Sequence, residues 1–429
     1  MNQDQPHSVQ VLVVGAGLAG LAAAATAARA GRSVVVLDIR AAGGRARSDE
    51  REGYVLNQGP RALYCAGRGA AVLESLGLRP GGRPPAKAVF GWTSGRLGLL
   101  PTSAFSLARS PLLGRRSKAK LAHLLATFSQ LDTTSLAPLS AAAWVRSQHL
   151  PDDGAAVLST LLRVASYAAD LEVISADAAV GQLQLVQAGG VSYLHGGWSR
   201  LVDGLAGAAR SSGAVIIEGE RALRIDGRET AGAWEVRAAG SRWLAGAVVL
   251  AAGGPAAVKA LLPFTPGWQL GADSTAACLD LGLRRPPVTR VAFGLDDPLY
   301  LSTHAPAAEL APSGAALVHV MRYGARSSEE DRAQLWGFAQ VAGIRADDVV
   351  VERFLHKMTV SHSLPRPGGG LAGRPPVSLE EPGLFVAGDW VGRDGLLADA
   401  SLSSGAAAGR AAAALAGEVR LDSSRRLVG

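Results

Sequence analysis

Short unbroken apolar runs punctuate this chain: VLVV at 11–14, VVVL at 34–37, VII at 215–217, WLAGAVV at 243–249 and LFVA at 384–387. Runs of this length without polar alternation predict strands buried on both faces, the pattern of a parallel sheet. The alanine-rich residues 18–30 between the first two runs predict a helix, and Gly31 stands where a helix end favours glycine. A second small-residue helix is predicted over about 400–415. Residues 89–192, rich in leucine, alanine and serine at helical spacing, read as a mostly helical insertion. Residues 272–360 read as mixed strands and helices, with strands at 301–304 and 317–323. GGRPP at 81–85 marks a first exit from the opening unit, and the Pro/Gly-rich residues 365–376 form a loop. The expected class is α/β. One domain is built from 1–88, 193–271 and 361–429, and an interleaved α+β domain from 89–192 and 272–360.

The first strand–helix–strand unit carries a nucleotide signature. Gly15, Gly17 and Gly20 follow the first strand in G-x-G-x-x-G spacing. The first glycine permits a tight turn, the second lets a pyrophosphate approach the backbone, and the third lets helix and strand pack closely. The intervening Ala16, Leu18 and Ala19 open the helix whose N-terminus attracts phosphate. Asp38 ends the second strand, where a carboxylate accepts hydrogen bonds from ribose hydroxyls, and Ile39 and Arg40 follow it.

Composition narrows the class without naming a substrate. The 429 residues suffice for two domains with a large core. At 48% hydrophobic and 18% charged, the chain is expected to fold rather than remain disordered. No apolar run reaches bilayer-spanning length, and the first eight residues, MNQDQPHS, show neither a basic nor an apolar leader region. The two cysteines, Cys65 and Cys278, give no disulfide framework and suit a reducing cytoplasm. His356 and His362 are not at metal-ligand spacing, so no metal is expected. The formal charge of +7 is modest, and nothing accompanies it that would suggest nucleic acid. The base-rich run from Arg109 to Lys120, ahead of Leu121, Leu124 and Leu125 at helical spacing, is either a solvated helix start or a contact with anionic lipid.

The G-G-R-x-x-S run of Gly43, Gly44, Arg45 and Ser48 resembles the second fingerprint of the FAD-dependent superfamily of phytoene desaturases, protoporphyrinogen oxidases and monoamine oxidases. The stretch opening YLHGGWSRLVDGLAG (193–207) resembles that superfamily too, and the pieces NQGPRALY (57–64), LPTSAFSLARSPLLGRRSKAKL (100–121) and FVAGDWVGRDGLLADASLSSG (385–405) look closest to its phytoene-desaturase-like and protoporphyrinogen-oxidase-like members. The resemblance implies non-covalent FAD, held by both ends of the chain. It places Arg45 along the pyrophosphate, Asp389 after Gly388 on the ribityl chain, and Leu397, Ala398 and Ala400 at a helix start facing the flavin. It further implies contacts from Gly59, Pro60, Arg61 and Ala62, from Ala222 beside the adenine, and from Ala252 and Gly253. Asp38 replaces the glutamate common in the family, with the carboxylate role kept.

The implied activity is hydride transfer from a lipophilic, polyene- or isoprenoid-like substrate to flavin N5. Arg61, Tyr64, His304, Tyr323 and His362 are candidates near the chemistry, and none is singled out as catalytic. Two other readings stand. An oxidase of amines or porphyrinogens of this fold is expected to place a lysine on the strand near 275–281, which has none, and an aromatic pair that a 5% aromatic content makes scarce. A flavin-free lipid carrier of the Rab escort or GDP-dissociation-inhibitor type would have no use for the intact glycines, Asp38, Arg45 and Asp389.

Overall fold

The computed structural model describes residues 6–228 and 232–416. The apolar runs assemble into one seven-stranded sheet. Five of its strands lie parallel, in the order Val215–Glu218, Val34–Asp38, His7–Val14, Arg242–Leu250 and Leu384–Val386. Trp234–Ala238 and Ala222–Arg228 also join this sheet, as an antiparallel meander from Arg242–Leu250. Burial on both faces explains the unbroken hydrophobicity: Val11, Leu12 and Val13 are fully buried, as are Val248, Val249 and Leu250.

On one face of this sheet lie the helices Leu18–Arg29, Trp198–Ser211 and Leu397–Ala416. The last begins at Leu397, three residues before the expected start. It presses on the first helix so closely that a Cβ at Gly405 would lie 2.2 Å from the Ala19 carbonyl oxygen, and one at Gly409 would lie 2.4 Å from that of Ala23. The opposite face buries Trp234, Trp243 and Trp390 with Leu12 and Val14.

A second seven-stranded sheet runs in the order Val349–Ser361, Ser274–Leu283, Ala316–Tyr323, Leu299–Ala305, Val291–Gly294, Phe90–Thr93 and Arg96–Leu99. The helix Ser328–Val341 covers one face. The other face meets the helices Arg115–Thr127, Asp152–Ser166 and Ala176–Gly189. Two expectations change here. Residues 89–192 do not open as helix: Phe90–Thr93 and Arg96–Leu99 form a hairpin that extends the second sheet. Its two-residue turn, Ser94 and Gly95, has φ of +47° and +76°, the geometry of a tight hairpin that such a Ser-Gly pair permits. The expected exit at 81–85 is not a bare linker either, because Gly82–Arg83 pairs with Tyr193 and Leu194.

Candidate cofactor site and active site

The carboxyl ends of the parallel strands converge on one cavity of about 1060 Å³, the place where open α/β sheets hold their ligands. Gly15 donates its N–H to Leu37 O at 2.7 Å and turns at φ +105°, where a Cβ would lie 2.4 Å from Ala251 O. A Cβ at Gly20 would lie 1.8 Å from Gly15 O, so only glycine lets this helix sit on its strand. Gly17 differs: it lines the cavity, and nothing lies within 4 Å of a Cβ placed there. Turn, contact and packing glycines are therefore distinct, as a pyrophosphate cradle requires. Asp38 Oδ2 accepts from Ala16 N–H at 2.6 Å and Oδ1 from Arg40 N–H at 2.8 Å, which fixes the carboxylate at the cavity wall.

Most residues expected from the sequence meet on that wall. Gly15, Gly17, Leu18 and Ala19 line it from the first turn. Asp38, Ile39, Arg40, Gly44 and Arg45 line it from the next crossover, and Pro60, Arg61 and Ala62 from the loop beyond. Ala222, Ala252 and Gly253 contribute from the middle of the chain, and Gly388, Asp389, Leu397 and Ala398 from its end. Four expected residues do not reach the wall. Ala16 is fully buried, with its N–H turned to Asp38. Gly20 is packed against Gly15, and Ala400 is fully buried in the last helix. Gly59 turns at φ +74° against Met358, whose Sδ would lie 2.6 Å from a Cβ.

Charge inside the cavity is closely partnered. Asp389 is 2% exposed; its Oδ1 accepts from Arg45 Nη2 at 2.7 Å and lies 2.8 Å from His362 Nδ1, while Oδ2 accepts from His362 N–H at 2.9 Å. Burial alone would raise the Asp389 pKa, but the Arg45 guanidinium and His362 together drive it far below the usual carboxylate range. Arg45 also donates to Val360 O at 2.8 Å. Arg61 is different. Its Nε is buried without a partner and its guanidinium lies 5.6 Å from the Trp198 ring centroid. Burial, then the neighbouring Arg45, pull its pKa down to about 10, so it remains a cation.

Farther in, the wall turns apolar. The helices Asp152–Ser166 and Ala176–Gly189 supply Leu161, Val164, Leu183 and Val186, and the second sheet supplies Val291 and Phe293. Tyr64, Tyr167, Tyr193 and Tyr300 also line the cavity. Tyr323 packs edge-on behind Tyr167 and Tyr300. Five of the chain's six tyrosines thus surround one cavity, which corrects the expectation that aromatic framing would be scarce. Tyr167, Tyr193 and Tyr300 went unnoticed because they lie on a helix cap and two separate strands, with no shared motif.

Of the earlier candidates, Arg61, Tyr64 and His362 line the cavity, whereas His304 and Tyr323 stand behind it. His304 stacks under Tyr193 at 3.6 Å and lies edge-on to His319. The wall's three carboxylates, Asp38, Glu220 and Asp389, all belong to the nucleotide-type sheet end, and no lysine lines the cavity among the described residues. Among the described residues one metal-like grouping exists elsewhere: donor atoms of buried Cys278, Asp280 and His319 lie within 4.8 Å of one another. Asp280 is already engaged there by His319 at 2.5 Å and by Arg353 Nε at 2.8 Å. A guanidinium at that distance opposes a metal cation.

The sequence profile of the family described as flavin containing amine oxidoreductase matches residues 18–413. No curated protein matches the chain in sequence. Solved structures share its fold. A putrescine oxidase variant is 18% identical over 94% of this chain and 98% of its own, with a TM-score of 0.73. An oxidoreductase from Methanosarcina mazei is 19% identical over 92% and 98%, with a TM-score of 0.71. A Rab GDI from Plasmodium falciparum is 13% identical over 89% and 93%, with a TM-score of 0.59.

Proposed function

This chain belongs to the flavin containing amine oxidoreductases, an FAD-dependent family, and from that premise we propose that it dehydrogenates a neutral, lipophilic substrate of polyene or isoprenoid character. The observation that carries the reading is the make-up of the inner cavity: aliphatic, phenylalanine and tyrosine side chains, with no lysine and no carboxylate beyond the nucleotide end among the described residues. An alkylammonium substrate would lose its hydration there without a counter-charge.

The residues fit the cofactor. Gly17 leaves open space at the wall, and Asp38 is held at the end of the second strand, as a ribose requires. In this reading Gly15, Gly17, Leu18 and Ala19 hold the pyrophosphate with Gly44 and Arg45, and Asp38, Ile39, Arg40 and Ala222 hold the adenosine. Pro60, Arg61, Ala62, Ala252, Gly253, Gly388, Asp389, Leu397 and Ala398 surround the remainder. FAD supplies a two-electron acceptor. Arg61 contributes a half-buried positive charge at the cavity wall, with its Nε–H buried and unpartnered, suited to an anionic partner. The helices Asp152–Ser166 and Ala176–Gly189 exclude water from the inner end.

The test is anaerobic bleaching of the purified yellow protein. Detergent-dispersed polyene or isoprenoid hydrocarbons are expected to bleach the flavin, and mono- and diamines are not. Bleaching by amines alone would replace this reading with an amine oxidase.

A further inference from the structure

The cavity reaches the surface along the most one-sided stretch of charge in the chain. From Ser75 to Leu131 the sequence contains nine Lys and Arg and no Asp or Glu. That local charge of +9 exceeds the net +7 of the whole chain, so the remainder is slightly acidic. The same stretch builds the outer cavity wall through Pro85, Ala86, Val89 and Thr102. Thr102 is both exposed and on the wall, so the cavity is open beside it, as it also is at exposed Ile39 and Leu223 on the nucleotide side. Immediately past it the helix Ala104–Arg109 holds Phe105 68% exposed, with the Arg109 guanidinium 5.3 Å from its ring centroid. Lys118 Nζ donates to Ala108 O at 2.9 Å, which ties the next basic helix, Arg115–Thr127, to the same edge. Arg115 and Arg116 are exposed at its start. The facing carboxylate, Asp153, is held inward by Gly114 N–H at 2.7 Å and by the Ser117 hydroxyl.

We propose that this edge, with Phe105 at its centre and Arg109, Arg115, Arg116 and Lys118 around it, docks on an anionic lipid bilayer so that the cavity mouth at Thr102 opens onto the membrane. An exposed aromatic side chain set among cations matches the boundary between lipid headgroups and acyl chains. The four basic side chains outnumber the two carboxylates beside them, Asp152 and Asp153, and Asp153 is already engaged by Gly114 and Ser117, so the edge stays net positive toward anionic headgroups. The purpose of the contact rests on the lipophilic substrate proposed above: a molecule insoluble in water would pass from bilayer to cavity without crossing solvent.

Vesicle co-sedimentation of the flavin-loaded full chain tests this, with phosphatidylcholine alone against phosphatidylcholine containing phosphatidylglycerol. Retention is expected only on the anionic vesicles, and it is expected to fall as salt is raised. Phe105→Ser and the Arg115→Ala/Arg116→Ala pair are each expected to lower partitioning by about tenfold or more while leaving flavin content unchanged. The proposal is overturned if anionic vesicles do not retain the protein at low salt, if both variants bind as wild type does, or if duplex DNA is bound in preference to the vesicles. The assay reads no turnover, so a failure here leaves the substrate reading standing, and a failed bleaching assay leaves the vesicle result standing.

Discussion

Arg45 and Asp389, 344 residues apart in sequence, meet in an ion pair of 2.7 Å. The pair ties the loop after the second strand to the strand end near the C-terminus, with His362 bridging from just past the end of the strand Val349–Ser361. Asp389→Asn leaves the shape but removes the charge that Arg45 faces. Stability at pH 7 is expected to fall by about 3 kcal/mol, measured by urea unfolding of the flavin-loaded protein. Flavin retention on dialysis is expected to fall with it. The Asp389 carboxyl is held well below its usual range. Its stabilisation is therefore complete above about pH 4 and is lost as pH drops toward the folded value. The variant should accordingly show a flatter acid limb than wild type.

Asp399 shows the opposite linkage. It sits in the first turn of Leu397–Ala416, accepts from Gly69 N–H at 2.8 Å, and leaves Oδ2 buried without a partner. Burial raises its pKa to about 6. A carboxyl raised in the folded state favours folding most below about pH 4, and that contribution is lost as pH rises through about 6. Asp399→Asn keeps an acceptor for Gly69 and removes the buried charge. It is expected to be more stable than wild type at pH 7 by about 1–3 kcal/mol and nearly equal at pH 4. Equal differences at both pH values, read from unfolding midpoints, would contradict this account.

The contrast between these two carboxylates shows what the sequence could disclose. Asp389 was legible because it follows a buried strand and a glycine in a family motif, and the structure brings it to the cavity with Arg45. Asp399 lies ten residues on in the same motif, yet its environment depends on Gly67 and Gly69 from a distant segment, which no local pattern reports. The first sheet was legible for the same reason as Asp389: strands buried on both faces leave uninterrupted apolar runs. The hairpin at 90–99 was missed because its strands are only half-buried and interrupted by Gly91 and Gly98, both packed on Leu112. Of the tyrosines around the cavity, Tyr64 was among the candidates, but Tyr167, Tyr193 and Tyr300 were missed because they converge on it only through tertiary packing.

His304 is a polar group that the fold tolerates without using. It is 1% exposed, and neither ring nitrogen has a partner. Burial, then the neighbouring His319, keep its pKa well below the usual histidine value, so the ring is neutral and still carries one N–H. His304→Phe keeps a flat ring against Tyr193 and removes the unsatisfied nitrogens. It is expected to stabilise the protein by about 1–2 kcal/mol with flavin content unchanged. A loss of stability in the same unfolding assay would mean that a buried water or ligand satisfies His304.

The contact between the helices Leu18–Arg29 and Leu397–Ala416 joins the two ends of the chain through backbone rather than side chains. At Gly405 and Gly409 an added methyl would lie 2.2 and 2.4 Å from the carbonyl oxygens of Ala19 and Ala23, distances that no rotamer change relieves. Helix propensity alone would make glycine to alanine favourable by up to about 1 kcal/mol in a helix interior. Here overpacking opposes it and dominates, because the helix must move away from its neighbour. Gly405→Ala and Gly409→Ala are each expected to destabilise by about 1–3 kcal/mol. Gly207, in the helix Trp198–Ser211 with nothing within 4 Å of a Cβ, is the control. Gly207→Ala is expected to be neutral or to gain stability by up to about 1 kcal/mol. Because Leu18 and Ala19 open the first helix at the cavity wall, the Gly405 variant should also lose flavin more readily than the Gly409 variant, whose clash lies one turn farther from the wall. Thermal unfolding read by flavin release and by circular dichroism would separate the two effects: Gly405→Ala should advance flavin release more than it advances loss of helix, and Gly409→Ala should shift both together.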